Sequence, residues 1–121
     1  MKANELRIGN YVEVFVNFCL IKEEQVIDIM CDSINTKSHE NMTFDYVEPI
    51  PLTEEWLKRF GVTKDIDVWE LTGVFWLQEL EGGCFFLGCN SGWTGIEIKY
   101  VHQLQNLYFA LTGDELKILE I

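Results

Sequence analysis

Apolar and polar positions alternate near the start of the chain, where Val12, Val14 and Val16 fall between Tyr11, Glu13 and Phe15. A period of two marks a strand with one buried face, and Gly9-Asn10 supplies a turn ahead of it. A second run, Gln25 to Cys31, sets Val26, Asp28 and Met30 against Ile27, Ile29 and Cys31. Short strands at this spacing predict a small N-terminal curled sheet or partial barrel of SH3-like type. Asp32 to Asn41 is mostly polar and reads as a connection, after which Met42 to Val47 predicts another short strand.

Glu48-Pro49-Ile50-Pro51 breaks that strand and leads into a short helix. Thr53 is its expected N-cap, Glu54 and Glu55 complement the helix dipole, Leu52 can staple onto Leu57, and Gly61 ends it. From Ile66 to Tyr100 the pattern returns to strands, with Glu81-Gly82-Gly83-Cys84 as a hairpin signal. A two-residue turn there would pair residue 80 with 85, placing Val74, Trp76, Gln78, Leu80, Phe85, Leu87 and Cys89 on one face. Phe75, Leu77, Glu79 and Phe86 would then share the other. The next strand, Trp93 to Tyr100, alternates as a half-exposed strand does. Around Val101 the period lengthens to about 3.6, with Val101, Leu104, Tyr108 and Leu111 on one stripe and Gly113 as the stop. Leu116 to Ile121 fits either a short strand or an apolar tail. The expected fold is α+β: the N-terminal curled sheet, a short helix, then an antiparallel sheet packed by a C-terminal helix. At 121 residues it reads as a single domain, 1–121, with a β-rich part to residue 51 and the helix, hairpin sheet and second helix beyond.

Hydrophobic residues make up 48% of the chain, enough to bury one core without staples. The net charge of -11 is spread over both halves, and of nine basic residues only Lys58 and Arg59 are neighbours. Such a surface repels phosphate, so neither direct nucleic-acid binding nor an anionic membrane is expected. No apolar run follows the charged start and none approaches the length of a membrane span, which predicts a cytoplasmic protein. Cys19, Cys31, Cys84 and Cys89 are accordingly expected to be free, buried thiols.

No motif in the chain carries chemistry strongly. The cysteines are too far apart for paired zinc knuckles, so neither a metal nor a cofactor is expected. Cys84 or Cys89 with His102 as base could form a nucleophilic pair, the low-ranked catalytic alternative being Cys89 and His102. His102 falls at a helix start with polar neighbours, however, and reads more simply as a surface or capping side chain, while His39 carries less signal still. Asp65, Asp67 and Glu70 lack the ligands and glycine of a calcium loop, and Glu79 with Glu81 lacks a pocket. The glycines match neither dinucleotide nor phosphate-loop fingerprints. Trp69, Trp76, Trp93, Phe75 and Phe86 are more aromatic mass than one sheet face buries.

Three phrases span most of the chain: Glu5-Leu6-Arg7-Ile8-Gly9-Asn10, Pro49-Ile50-Pro51-Leu52-Thr53-Glu54-Glu55-Trp56-Leu57, and the stretch from Tyr100 to Gly113. Together they resemble a group of short proteins encoded in Bacteroidetes genomes and their phages or integrated elements, which has no assigned function. The resemblance implies a bacterial or mobile-element setting and no activity. The expected role is therefore a non-enzymatic protein interaction or assembly module. Phe75, Leu77, Phe86 and Trp93 form its candidate interface, with a protein partner or a second copy in a homodimer. The alternatives are an acidic mimic of nucleic acid that inhibits a DNA-binding protein, and a small Cys/His hydrolase.

Overall fold

The computed structural model describes residues 5–16, 20–36, 38–40, 42–66 and 68–119, and within these the side chains of residues 16, 20–22 and 93 lie outside the description. The architecture is the α+β one expected. Two five-stranded antiparallel sheets are followed in sequence by a C-terminal helix.

The first sheet has the order β4-β3-β2-β1-β5. Its strands are β1 (Tyr11–Val16), β2 (Leu20–Ile29), β3 (Ser33–Thr36), β4 (Met42–Thr43) and β5 (Val47–Glu48), with a 3-10 turn at Phe44–Tyr46 before the last. β1 pairs with both β2 and β5, which curls the sheet round a small core of Val12, Val14, Val26, Ile34 and Val47. The alternation read from Val12 onward selects that face. The polar interval after Cys31 is not merely a connection, because Ser33–Thr36 forms β3 and buries Ser33, Ile34 and Thr36. One apolar residue among polar ones is too weak a signal to mark a four-residue strand.

Helix α1 (Glu54–Arg59) starts as expected, with the Thr53 hydroxyl accepting from Trp56 N at 3.4 Å, and Leu52 and Leu57 both buried. The second sheet has the order β10-β9-β8-β7-β6, built from β6 (Thr63–Asp65), β7 (Val68–Glu70), β8 (Phe75–Leu80), β9 (Cys84–Cys89) and β10 (Gly92–Ile98). Helix α2 (Val101–Thr112) ends at Gly113. Trp56 and Leu57 of α1 and Val101 and Leu104 of α2 pack on Trp69, Leu77, Phe85 and Leu87, so both helices cover the same face of this sheet. Beyond α2 the chain runs on as an apolar tail and not a strand, burying Leu116 and bonding Leu119 N to Arg59 O at 2.8 Å.

The hairpin departs from the expected register. Leu80 pairs with Cys84, not with residue 85, because the loop holds three residues, Glu81, Gly82 and Gly83. Gly82 and Gly83 take φ of 86° and 76°, which side-chain-bearing residues avoid. One extra loop residue inverts every side chain of β9 relative to β8. Phe75 and Leu77 therefore share a face with Phe85 and Leu87, while Trp76, Gln78, Leu80, Cys84 and Phe86 share the other. Leu77 is wholly buried and Phe75 packs against the core, so neither belongs to an exposed interface.

Candidate functional site

The face of the second sheet turned away from the helices carries its side chains in rows set by the register. One row runs Thr63, Glu70, Trp76, Gly88, and a second runs Asp65, Val68, Gln78, Phe86, Glu97. Leu80 and Cys84 follow at the hairpin end. The Trp76 indole sits over Gly88, where a Cβ would lie 2.8 Å from its Cε2. Glycine here lets an indole rest directly on the sheet. Val68, Trp76, Cys84 and Phe86 are half-buried and Leu80 is exposed, and none joins the core beneath the helices. Of the four residues expected at an interface, only Phe86 has a described side chain on this face. Trp93 pairs with Gly88 in β10, but its side chain lies outside the described ones.

Charge on this face has one sign. Its rows hold Asp65, Glu70 and Glu97 and neither lysine nor arginine. Lys64, on the same hairpin, points the other way: its Nζ lies 3.8 Å from Glu79 and over the Trp69 ring. Asp67, grouped with Asp65 and Glu70 from sequence, lies outside the described residues. Glu79 accepts from the buried Trp69 indole at 3.2 Å, a packing role that separates it from Glu81 in the loop.

His102 is buried, not a surface residue, at 3% exposure. Its imidazole stacks on Tyr100 with centroids 5.8 Å apart, and its Nδ1 has no hydrogen-bond partner among the described residues. Burial holds its pKa below the ordinary value, opposed by the Glu5 carboxylate. The ring therefore stays neutral near pH 7. It lines a cleft of about 530 Å3 between the end of β10 and the first turn of α2, together with Glu5, Ile96, Glu97, Tyr100 and Asn106. Cys89 lies at the opposite end of β10, paired with Gly92 and Phe75, and its thiol contacts Gly92 O. Cys89 lies four positions along β9 from Phe85, the partner of Ile98, a run of roughly 13 Å. The two are not brought together as nucleophile and base. His39 sits elsewhere, its Nδ1 2.9 Å from Glu24 Oε1.

The three phrases singled out in sequence meet at the junction of the two sheets. Gln105, fully buried, accepts from Tyr11 N at 2.8 Å and donates to Gly9 O at 3.0 Å. Asn106 Oδ1 accepts from Arg7 and Asn10, Arg7 also pairs with Glu115, and its guanidinium covers the Phe109 ring. Ile50 O accepts from Val101 N, and Leu52 N donates to Lys99 O. These residues spend their polar atoms on each other and leave few for a ligand.

Cys84 and Cys89 are half-buried free thiols, as expected, whereas the free Cys31 is exposed; Cys19 lies outside the described residues. Among the described residues no three His, Cys, Asp or Glu side chains gather as a metal site, and no helix is long and apolar enough to cross a membrane. Comparison with known proteins finds no matching family model, curated protein or solved structure.

Proposed function

We propose that the chain is a non-enzymatic protein-binding module whose contact surface is the outer face of the second sheet. The observation that carries this reading is the Trp76 indole over Gly88, diagonal to Phe86, on the face that neither helix covers. An aromatic cluster of this kind makes a patch of roughly a few hundred Å2, and such patches on soluble proteins mark binding sites. Tryptophan is also among the residues that dominate binding energies at interfaces. A bacterial cytosol is the setting we favour, in keeping with three free thiols and with the resemblance of the three phrases.

The test uses two immobilised variants beside the wild type, each verified by its melting curve. Trp76→Ala with Phe86→Ala alters the face, and Ile27→Ser alters an exposed position of the other sheet. A protein from host extract retained in stoichiometric amount by the wild type and by Ile27→Ser, but lost from the double variant, is the expected result. Retention by all three alike would place the contact surface elsewhere.

A further inference from the structure

We infer that the occupant of this face is a basic protein segment presenting arginine or lysine together with an apolar anchor. The inference rests on the proposed contact surface and adds the chemistry of the partner. It begins with the corrected register, which seats each large aromatic directly beside a carboxylate. Glu70 is the cross-strand neighbour of Trp76, and Glu97 is the cross-strand neighbour of Phe86. Directly opposed side chains in an antiparallel pair are about 5 Å apart at Cβ. A guanidinium resting on the Trp76 ring is therefore within reach of the Glu70 carboxylate, and both interactions favour the same cation.

Asp65 closes the second row at the β6 edge, and Glu97 closes it at the β10 edge. Four strand spacings separate them, roughly 19 Å, with Val68, Gln78 and Phe86 between. A row in which Val68 and Phe86 flank Gln78 and carboxylates close both ends matches a segment in which basic residues flank an aliphatic or aromatic one. None of Asp65, Glu70 and Glu97 forms an ion pair with a described residue, so no described cation neutralises their charge. The net charge of -11 draws the same class of partner from a distance.

A second copy of this chain is the competing occupant, and the charge pattern disfavours it. Two such faces packed together would bring the carboxylates of both copies' rows into one interface with no lysine or arginine in either set of rows, and like-charge juxtaposition is strongly unfavourable there. The aromatic cluster alone would suit a homodimer. Its rim does not.

The experiment titrates the full chain with two synthetic peptides, one of sequence Gly-Arg-Leu-Arg-Phe-Arg-Gly and one with citrulline at each arginine, which keeps the shape and removes the charge. The readout is the indole N–H resonance of Trp76, assigned with Trp76→Phe, and sedimentation gives the oligomeric state. The expected result is a shift of Trp76 by the arginine peptide, at least tenfold weaker binding of the citrulline peptide, and loss of that preference in Glu70→Gln with Glu97→Gln. Equal binding of both peptides at Trp76 would overturn the cationic partner and leave the contact surface standing. Binding by the arginine peptide that leaves Trp76 unmoved, or no binding by either, would overturn both. A dimer dissociated by Trp76→Ser, with no peptide binding at Trp76, would assign the face to a second copy and refute the inference.

Discussion

Glu13→Gln is expected to stabilise the protein at neutral pH. Glu13 in β1 stands directly opposite Glu48 on one side and Glu23 on the other, so three carboxylates form one row across the first sheet. Its pKa is raised from 4.5, first by burial and then by the charges of Glu23 and Glu48. Only Glu23 has a described cation, Arg59 at 2.9 Å. Like charges directly opposite each other in a sheet cost about 0.2 to 1 kcal/mol per pair. Solvent screens these half-exposed groups, so the two pairs together are expected to cost about 0.5 to 1 kcal/mol. For a chain of this size that is a rise in Tm of about 2 to 5 °C. The pH dependence fixes the cause. A carboxyl with a raised folded pKa binds its proton more tightly in the folded state, so the wild type recovers the lost stability as pH falls through that value. The advantage of the variant is then present at neutral pH and vanishes below about pH 4, where Glu13 is protonated in both states. Thermal melts of both proteins across that range measure it. An unchanged or lowered Tm at neutral pH, or an advantage that persists in acid, would refute the reasoning.

Three further outcomes follow from other parts of the fold. His102 has a folded pKa below its unfolded value, so its contribution to stability is present above the unfolded pKa and lost as pH falls below it. Urea titrations from pH 7 to 5 should give a shallower decline for His102→Phe than for the wild type, by up to about 1.4 kcal/mol per pH unit, and equal slopes would contradict the assignment. Ile66, at φ 57° and 85% exposed, is a β-branched residue in the left-handed region; Ile66→Asn should raise stability by about 1 kcal/mol, and a loss in chemical denaturation would show that its side chain is needed. Gln105→Leu removes the acceptor of Tyr11 N, while Gly9 O keeps its bond from Gln25; leaving that N–H unpaired should cost about 1 to 3 kcal/mol, and a neutral effect would mean water replaces the amide.

Period and capping made most elements legible in advance, because both are local properties of the chain. The alternation at Val12 and the Thr53 cap needed no knowledge of distant contacts. The hairpin failed for a local reason of a different kind: Gly82-Gly83 announces a turn but does not count its residues, and one residue decides which aromatics are buried. Trp76, Gly88 and Phe86 were all visible in sequence, yet the face they share follows only from the register. His102 was misplaced, and Gln105 was not singled out, because polar residues on a helix ordinarily face water. The burial of Gln105 depends on a turn about 95 residues earlier, whose backbone groups it meets, and no pattern within the helix records it.

The bonds from Gln105 and Asn106 to the Glu5–Asn10 turn also set an order of events during synthesis. The first sheet leaves the ribosome well before α2, yet the groups that complete its leading turn reside on that helix. Contacts between such distant positions slow folding. Until α2 is released, Tyr11 N has no amide to bond and the core shared by both helices lacks its lid. A chain truncated just before Val101 would accordingly lack the bonds that close this junction, from Gln105 to Tyr11 and Gly9 and from Asn106 to Glu5.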